Sequence, residues 1–226
     1  MKPFRRFGEA MEKTRIVLGY LFFHPKVLKR LLSFSYRGFF VQTGWIRSFI
    51  ANRPVDVDDS PLPWLTYPMI ELLNERLHDG LKVFEYGGGH STLYFGPRVA
   101  EVVTVEHDRQ WYEQLQRRVP DNCRLVYQEL DYGGDYAATS RRQEAVYDIV
   151  LVDGRDRVNS ALAAVEAVGD RGVIIFDDFD RDRYQPAASA LREQGFRQLN
   201  LWGFKPGFFD RSNTAVFYRD GNALGL

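Results

Sequence analysis

Three glycines, Gly87, Gly88 and Gly89, follow the apolar run Val83-Phe84-Glu85-Tyr86, and a helix-compatible pattern resumes at Ser91. A buried strand, a tight turn and a helix start fit that order. Glycines let a backbone approach a ligand closely, and the unpaired N–H groups of a helix start suit an anionic group. About twenty residues on, Val102-Val103-Thr104-Val105-Glu106 reads as a second strand ending in an acid, the interval at which a carboxylate holds ribose hydroxyls. These features predict a nucleoside-cofactor site. His90 and His107 adjoin the two motifs, where a neutral imidazole can touch the ligand or accept a proton.

Details narrow the nucleoside. A dinucleotide fingerprint asks for a third glycine where this chain has Thr92. Glu85, two residues before Gly87, would repel a pyrophosphate and suits a cationic sulfonium instead. On these residues the chain resembles the class I S-adenosylmethionine-dependent methyltransferases, whose first motif is an acid followed by Gly-x-Gly at the end of the first strand. The resemblance covers roughly the last two-thirds of the chain. It implies S-adenosylmethionine as cofactor, bound by Glu85, Gly87, Gly88, Gly89, Ser91, Glu106, His107, Asp131 and Asp153. Asp131 is a loose match to a polar position beside adenine. Two other readings stay open: a nicotinamide-dependent oxidoreductase, and a non-catalytic cofactor-binding or scaffold protein of the same fold.

Further acids stand where open α/β sheets bind ligands, at the carboxyl ends of strands. Asp153 follows the apolar run 147–152, and Asp177 and Asp178 follow the run 172–176. Val152-Asp153-Gly154 together with Phe176-Asp177-Asp178 resembles the divalent-cation-dependent O-methyltransferases. That resemblance implies Mg²⁺ on Asp153, Asp177 and Asp178. Arg155, Arg157, Arg181 and Arg183 flank these acids and offer neutralisation without an ion. Asp153 or His90 is the candidate general base, and the expected acceptor is an oxygen of a small molecule or glycan. The loop Tyr132–Tyr136 and the aromatics at 64–67 and 204–209 are candidates for the walls of its pocket.

Positioning these residues requires alternating strands and helices. Strand patterns fall at 81–85, 102–106, 124–128, 147–153 and 172–177, with helices from 91 and over 108–118, 160–168 and 186–194. The last two strand patterns, 196–204 and 214–219, are joined by a loop with no room for a crossover helix and should pair antiparallel. The predicted fold is α/β, a Rossmann-like doubly wound seven-stranded sheet. It is mostly parallel, with a C-terminal antiparallel hairpin and an N-terminal helical extension. A helix over 67–77, with Met69, Leu72, Leu73 and Leu77 on one face, should cover the sheet. The division expected is residues 1–60 as a basic amphipathic extension and linker, and 61–226 as the methyltransferase-like domain.

The bulk properties of the 226 residues set limits: 45% hydrophobic and 27% charged is an ordinary globular balance, and a net charge of zero argues against nucleic acid. Basic residues concentrate in the first fifty positions, where Phe22, Phe23, Val27, Leu28, Leu31 and Leu32 interleave with Lys26, Lys29 and Arg30. Such a segment can pack on its own domain, form a homodimer contact or make a peripheral membrane contact. The apolar run 16–23 falls short of the ~20 residues a membrane span needs. Cys123 is the only cysteine, so no intrachain disulfide exists and a cytoplasmic location is expected.

Overall fold

The structure is a computed structural model that describes residues 3–226, with side chains from Glu12 onward. Of the charged residues concentrated in the first fifty positions, Lys2, Arg5, Arg6 and Glu9 lie outside the described side chains. Strand β4 (Tyr147–Val152) is apolar at every position but Asp148, β1 (Lys82–Tyr86) carries Val83, Phe84 and Tyr86 beside Lys82 and the buried Glu85, and the two pair in parallel at the middle of the sheet. Burial on both faces requires that apolar character. β2 (Glu101–Glu106) and β3 (Cys123–Tyr127) extend the sheet beyond β1, and β5 (Val168–Phe176) extends it beyond β4. The final pair, β6 (Arg197–Gly203) and β7 (Ser212–Tyr218), gives the order β3-β2-β1-β4-β5-β7-β6, with β7 antiparallel to both neighbours. This is the predicted seven-stranded arrangement.

Alternate side chains of each strand feed two cores. Phe84, Tyr86, Val103, Val150, Val152, Ile174 and Phe176 pack beneath α9 (Arg157–Ala167) and α10 (Gln185–Glu193). On the other face Val83, Val102, Ile149, Leu151, Val173 and Ile175 pack against α5 (Tyr67–Arg76) and α6 (His90–Phe95). The remaining domain helices are α7 (Arg109–Gln116) and α8 (Asp135–Ala138). Asp108 caps α7 as expected, accepting from Trp111 N at 3.0 Å. Two boundaries differ from the sequence reading. β5 starts at Val168 instead of Gly172, because Val168 pairs with Tyr147 before a register shift to Ile149↔Val173. Gly172 permits that irregularity, since a Cβ there would lie 2.8 Å from Tyr147 O. α9 correspondingly begins three residues earlier than the predicted start at 160 and ends at Ala167.

The chain before the sheet forms α1 (Pro3–Phe23), α2 (Pro25–Ser33), α3 (Phe39–Gln42) and α4 (Trp45–Ala51). The boundary drawn at residue 60 cuts through packed structure. Trp45 belongs to the core around α5 and donates from Nε1 to Phe208 O at 2.9 Å. Val55 is fully buried and exchanges two hydrogen bonds with the Ser48 hydroxyl, at 2.7 and 3.0 Å. Local periodicity misses this, because the connector folds through contacts far away in sequence. No described helix is long and apolar enough to cross a membrane.

Candidate active site

β1 delivers the glycine turn to the carboxyl edge of the sheet. Gly87 adopts φ +84°, and a Cβ there would lie 2.7 Å from Gly154 Cα, so the turns after β1 and β4 touch backbone to backbone. Beneath the turn Glu85 is completely buried, its Oε2 accepting from Thr92 Oγ1 at 2.6 Å and Thr104 Oγ1 at 2.8 Å. Thr92 Oγ1 in turn accepts from Gly89 N at 3.1 Å. Burial pushes the Glu85 carboxyl up to about 7, against the pull of these donors. Thr92, which occupies the third glycine position of a dinucleotide fingerprint, is therefore the link between the turn and Glu85.

At the end of β2, Glu106 accepts from three backbone N–H groups: Gly88 at 3.1 Å, His107 at 2.7 Å and Asp108 at 2.8 Å. The Trp111 indole donates to Gly88 O at 2.8 Å and fixes the turn from above. His107 Nδ1 lies 2.8 Å from Glu106 Oε1, at ion-pair distance but off hydrogen-bond alignment. These groups open onto a cavity of about 560 Å³ lined by Gly87, Gly88, Gly89, His90, Ser91, Glu106, His107, Trp111, Asp153 and Gly154. Asn52, Arg53, Pro54 and Trp64 close it from the connector, and Arg155 and Arg157 from the turn after β4. His90 Nε2 is buried without a partner, and burial, with help from Arg118 and Arg53, lowers the pKa of its ring.

A second cavity, of about 470 Å³, adjoins the first and shares Trp64, Asp153 and Arg157 with it. Its wall is densely charged. Arg157, mostly buried, donates to Asp153 Oδ1 at 2.8 Å, to Asp153 O at 3.0 Å and to Asp177 O at 2.5 Å, tying the ends of β4 and β5 together. Lys205, from the loop between β6 and β7, reaches Asp177 Oδ2 at 2.5 Å and Asp178 Oδ1 at 2.6 Å. Arg181 adds a contact to Asp178 Oδ2 at 2.6 Å, and Thr214 Oγ1 donates to Asp177 Oδ1 at 2.9 Å. Asp178 itself sits at φ +54°, an uncommon left-handed conformation that its three cationic neighbours hold in place. Burial, then the Asp177 charge, raises the Asp153 carboxyl to about 7 against the opposing pull of Arg157 and Lys205. Burial works against the Lys205 ammonium, yet Asp177, Asp178 and Asp153 outweigh it and keep the group charged.

The structure brings most of the predicted residues together and sets two of them, Glu85 and Asp131, off the cavity wall. Gly87, Gly88, Gly89, His90, Ser91, Glu106, His107 and Asp153 all line the first cavity. Glu85 does not: it supports the turn from inside the core, so a direct contact with a cationic ligand is corrected to a structural role. Asp131 is also off the wall, its carboxylate accepting from Asp135 N at 2.7 Å and Tyr136 N at 2.8 Å to start α8. Asp153, Asp177 and Asp178 converge as expected, but cations already engage them. Mg²⁺ needs an octahedral shell of oxygens at ~2.0–2.1 Å, and a buried ammonium between two carboxylates bars it. Among the described residues no group of His, Cys, Asp or Glu is arranged to hold a metal ion. The donor set does not fit a resident Mg²⁺. Sequence reasoning missed Lys205, the connector residues Asn52 and Arg53, and the hold of Trp111 on the glycine turn. The intervals that separate them from the strand-end motifs carry no pattern.

The sequence matches no family model and no curated protein. Solved structures do share the fold. One assigned as a caffeoyl-CoA O-methyltransferase from Staphylococcus aureus aligns over 88% of this chain and 100% of its own, at TM-score 0.51 and 14% identity. Precorrin-6y C5,15-methyltransferase from Geobacter metallireducens aligns over 68% of this chain and 87% of its own, at TM-score 0.51 and 16% identity. A spermidine synthase in complex with a transition-state analogue aligns over 67% of this chain and 59% of its own, at TM-score 0.51 and 14% identity. The architecture is the class I S-adenosylmethionine-dependent methyltransferase fold, one that hosts more than one transfer reaction.

Proposed function

We propose that the chain is an S-adenosylmethionine-dependent methyltransferase acting on a hydroxyl oxygen of a small polar acceptor, a sugar or comparable polyol. The observation that carries the reading is the pair of adjoining cavities at the carboxyl edge of the sheet, with Asp153 and Arg157 on their common wall. One cavity suits the cofactor and the other the acceptor. The cofactor fit rests on unfilled hydrogen-bonding capacity: His90 Nε2 is buried and unpartnered on that wall, close in the lining to Arg53, and matches a carboxylate. Glu106 stands at the other motif as the acceptor for ribose hydroxyls. The polar wall of the second cavity, with Trp64 and Phe208 as its aromatic faces, suits a hydroxyl-rich acceptor.

The cofactor supplies a methyl group on a sulfonium, already a good leaving group, so the chain must align, exclude water and remove a proton. Asp153 is the proposed base. With its pKa raised to about 7, it takes up the hydroxyl proton more readily than an ordinary carboxylate, while Arg157 at 2.8 Å steadies its ionised form. His90, with its pKa lowered, stays neutral; it lines the first cavity and not the second, so its place is beside the cofactor and Asp153 carries the base role. No step is assigned to Mg²⁺; Lys205 and Arg157 supply positive charge at the acceptor.

Calorimetry with S-adenosylmethionine and with NAD, followed by turnover on a panel of sugars and small alcohols, tests the reading. Expected are binding of S-adenosylmethionine alone, and a transfer rate that climbs as pH rises through about 7, where Asp153 ionises, and collapses in Asp153→Asn. Binding of NAD in place of S-adenosylmethionine would overturn the cofactor assignment. Tight cofactor binding without turnover on any acceptor would overturn the enzyme.

A further inference from the structure

The segment that precedes the packed domain is unlike the rest of the surface. From Ile16 to Phe23 the last turns of α1 are apolar on every side, with Phe22 and Phe23 exposed to 80% and 78%. α2 continues with Val27, Leu28, Leu31 and Leu32 on one face and Lys26, Lys29 and Arg30 on the opposite face, all of them at least partly open to solvent. Between Glu12 and Arg37 the basic residues are Lys13, Arg15, Lys26, Lys29, Arg30 and Arg37, and Glu12 is the only acid. Contiguous exposed apolar surface of this kind marks a place where something docks.

The apolar surface does not stop with α2. Phe34 contacts Phe40 at 5.4 Å, Phe40 contacts Trp45 at 4.9 Å, and Trp45 contacts Phe209 at 4.5 Å. Phe209 is 66% exposed, and its neighbour Phe208 contacts Trp64 at 5.7 Å. Phe208 and Trp64 line the acceptor cavity. An aromatic ridge, in which the exposed Phe34, Phe49 and Phe209 flank the buried Trp45, thus runs from the basic helices to the mouth of that cavity.

We propose that α1, α2 and this ridge form one docking surface for an anionic lipid bilayer. Charge decides between a bilayer and a second copy of the chain. A two-fold contact of the arm with itself would set basic residues against basic residues. An anionic headgroup layer neutralises them while the apolar faces and the Phe and Trp rings enter the headgroup–acyl boundary. The helices lie in the interface and do not cross it, consistent with the absence of a spanning helix among the described residues. Docking in this way brings the acceptor cavity to the membrane surface. The docking itself is independent of the methyltransferase reading.

Co-sedimentation of the full chain with vesicles tests it. The probes are vesicles of phosphatidylcholine alone and of phosphatidylcholine mixed with phosphatidylglycerol. The chain should pellet with the mixed vesicles and release as salt screens the headgroups. Lys29→Gln with Arg30→Gln should weaken partitioning roughly 25-fold, from about a five-fold loss for each basic residue. Phe22→Ser, at a ring 80% exposed, should weaken it as well, with the thermal melt unchanged. Equal binding to both vesicle types without salt dependence would overturn the anionic surface. Failure to pellet, with a concentration-dependent dimer in analytical ultracentrifugation, would show that a second copy covers the face instead. If Phe22→Ser proves insoluble, the salt dependence of the wild type and the Lys29 and Arg30 variant still decide.

Discussion

Glu85→Gln should stabilise the protein at alkaline pH and leave it nearly unchanged in acid. The Glu85 carboxyl is moved from 4.5 to about 7 in the folded state, chiefly because it is completely buried. The unfolded chain ionises this group near 4.5 while the folded chain keeps it neutral to about 7. Its contribution to stability is therefore fully present below about 4.5 and is lost as pH rises through about 7. At about 1.4 kcal/mol per pKa unit, the loss is on the order of 3 kcal/mol. Glutamine keeps a carbonyl oxygen for the two threonine hydroxyls now held at 2.6 and 2.8 Å, and it cannot ionise. Its amide nitrogen takes the place of Oε1, which is already buried without a partner, so the polar desolvation at that point changes little.

Urea unfolding followed by tryptophan fluorescence, with wild type and variant compared at acid and alkaline pH, gives the answer. The variant should gain up to about 3 kcal/mol over wild type above the folded pKa and about zero below the unfolded one. Asp153, also raised to about 7, titrates in both proteins and cancels in the comparison. If both proteins lose the same stability across this range, the titrating group is not Glu85. If the variant is the less stable one in alkali, folding favours the ionised carboxylate and its hydrogen bonds outweigh its burial.

Three further expectations concern the site. Glu106→Ala should weaken S-adenosylmethionine binding in calorimetry by ~1.5–3 kcal/mol, since it removes a charged acceptor for ribose and the partner of the Gly88, His107 and Asp108 N–H groups. Lys205→Met should cost ~3–5 kcal/mol in denaturant unfolding by leaving Asp177 and Asp178 without their shared cation, while methyl transfer by the wild type persists in EDTA. Gly154→Ala should lower the melting temperature and abolish cofactor binding together, because its Cβ would press on Tyr136 OH and lie 2.9 Å from Gly87 N, in a contact where overpacking costs ~1–3 kcal/mol.

The sheet could be read from the sequence because its central strands are buried on both faces and so must be apolar without interruption, as Val83-Phe84 and Ile149–Val152 are. Asp153 and Asp177 could be found for the same reason, since a charge that follows such a run falls at the sheet edge, whereas Glu85 lies within β1 and is buried in the core. What could not be read depends on tertiary register. Lys205 lies 28 residues from Asp177, and the antiparallel placement of β7, with Phe176 opposite Ala215, brings the two strand ends together. The connector looked like a linker because prolines and acids break its periodicity, yet Val55 and the Ser48 hydroxyl lock it in place, and Arg53 and Pro54 reach the cavity above the glycine turn.

The acid triad shows the same limit in its chemistry. Three carboxylates at strand ends are compatible with an ion or with fixed cations, and sequence places arginines beside them without saying which will turn inward. Arg157 turns inward, its guanidinium held by the carbonyls of Asp153, Gly154 and Asp177, while Arg155 remains exposed. That backbone tether leaves Arg157 few other places to go. A metal would have to displace both this anchored guanidinium and the buried Lys205 ammonium, replacing two internal cations with one that sheds its water reluctantly. The fixed positive charge is accordingly part of the fold, and removing it should cost stability together with the charge it presents to the second cavity.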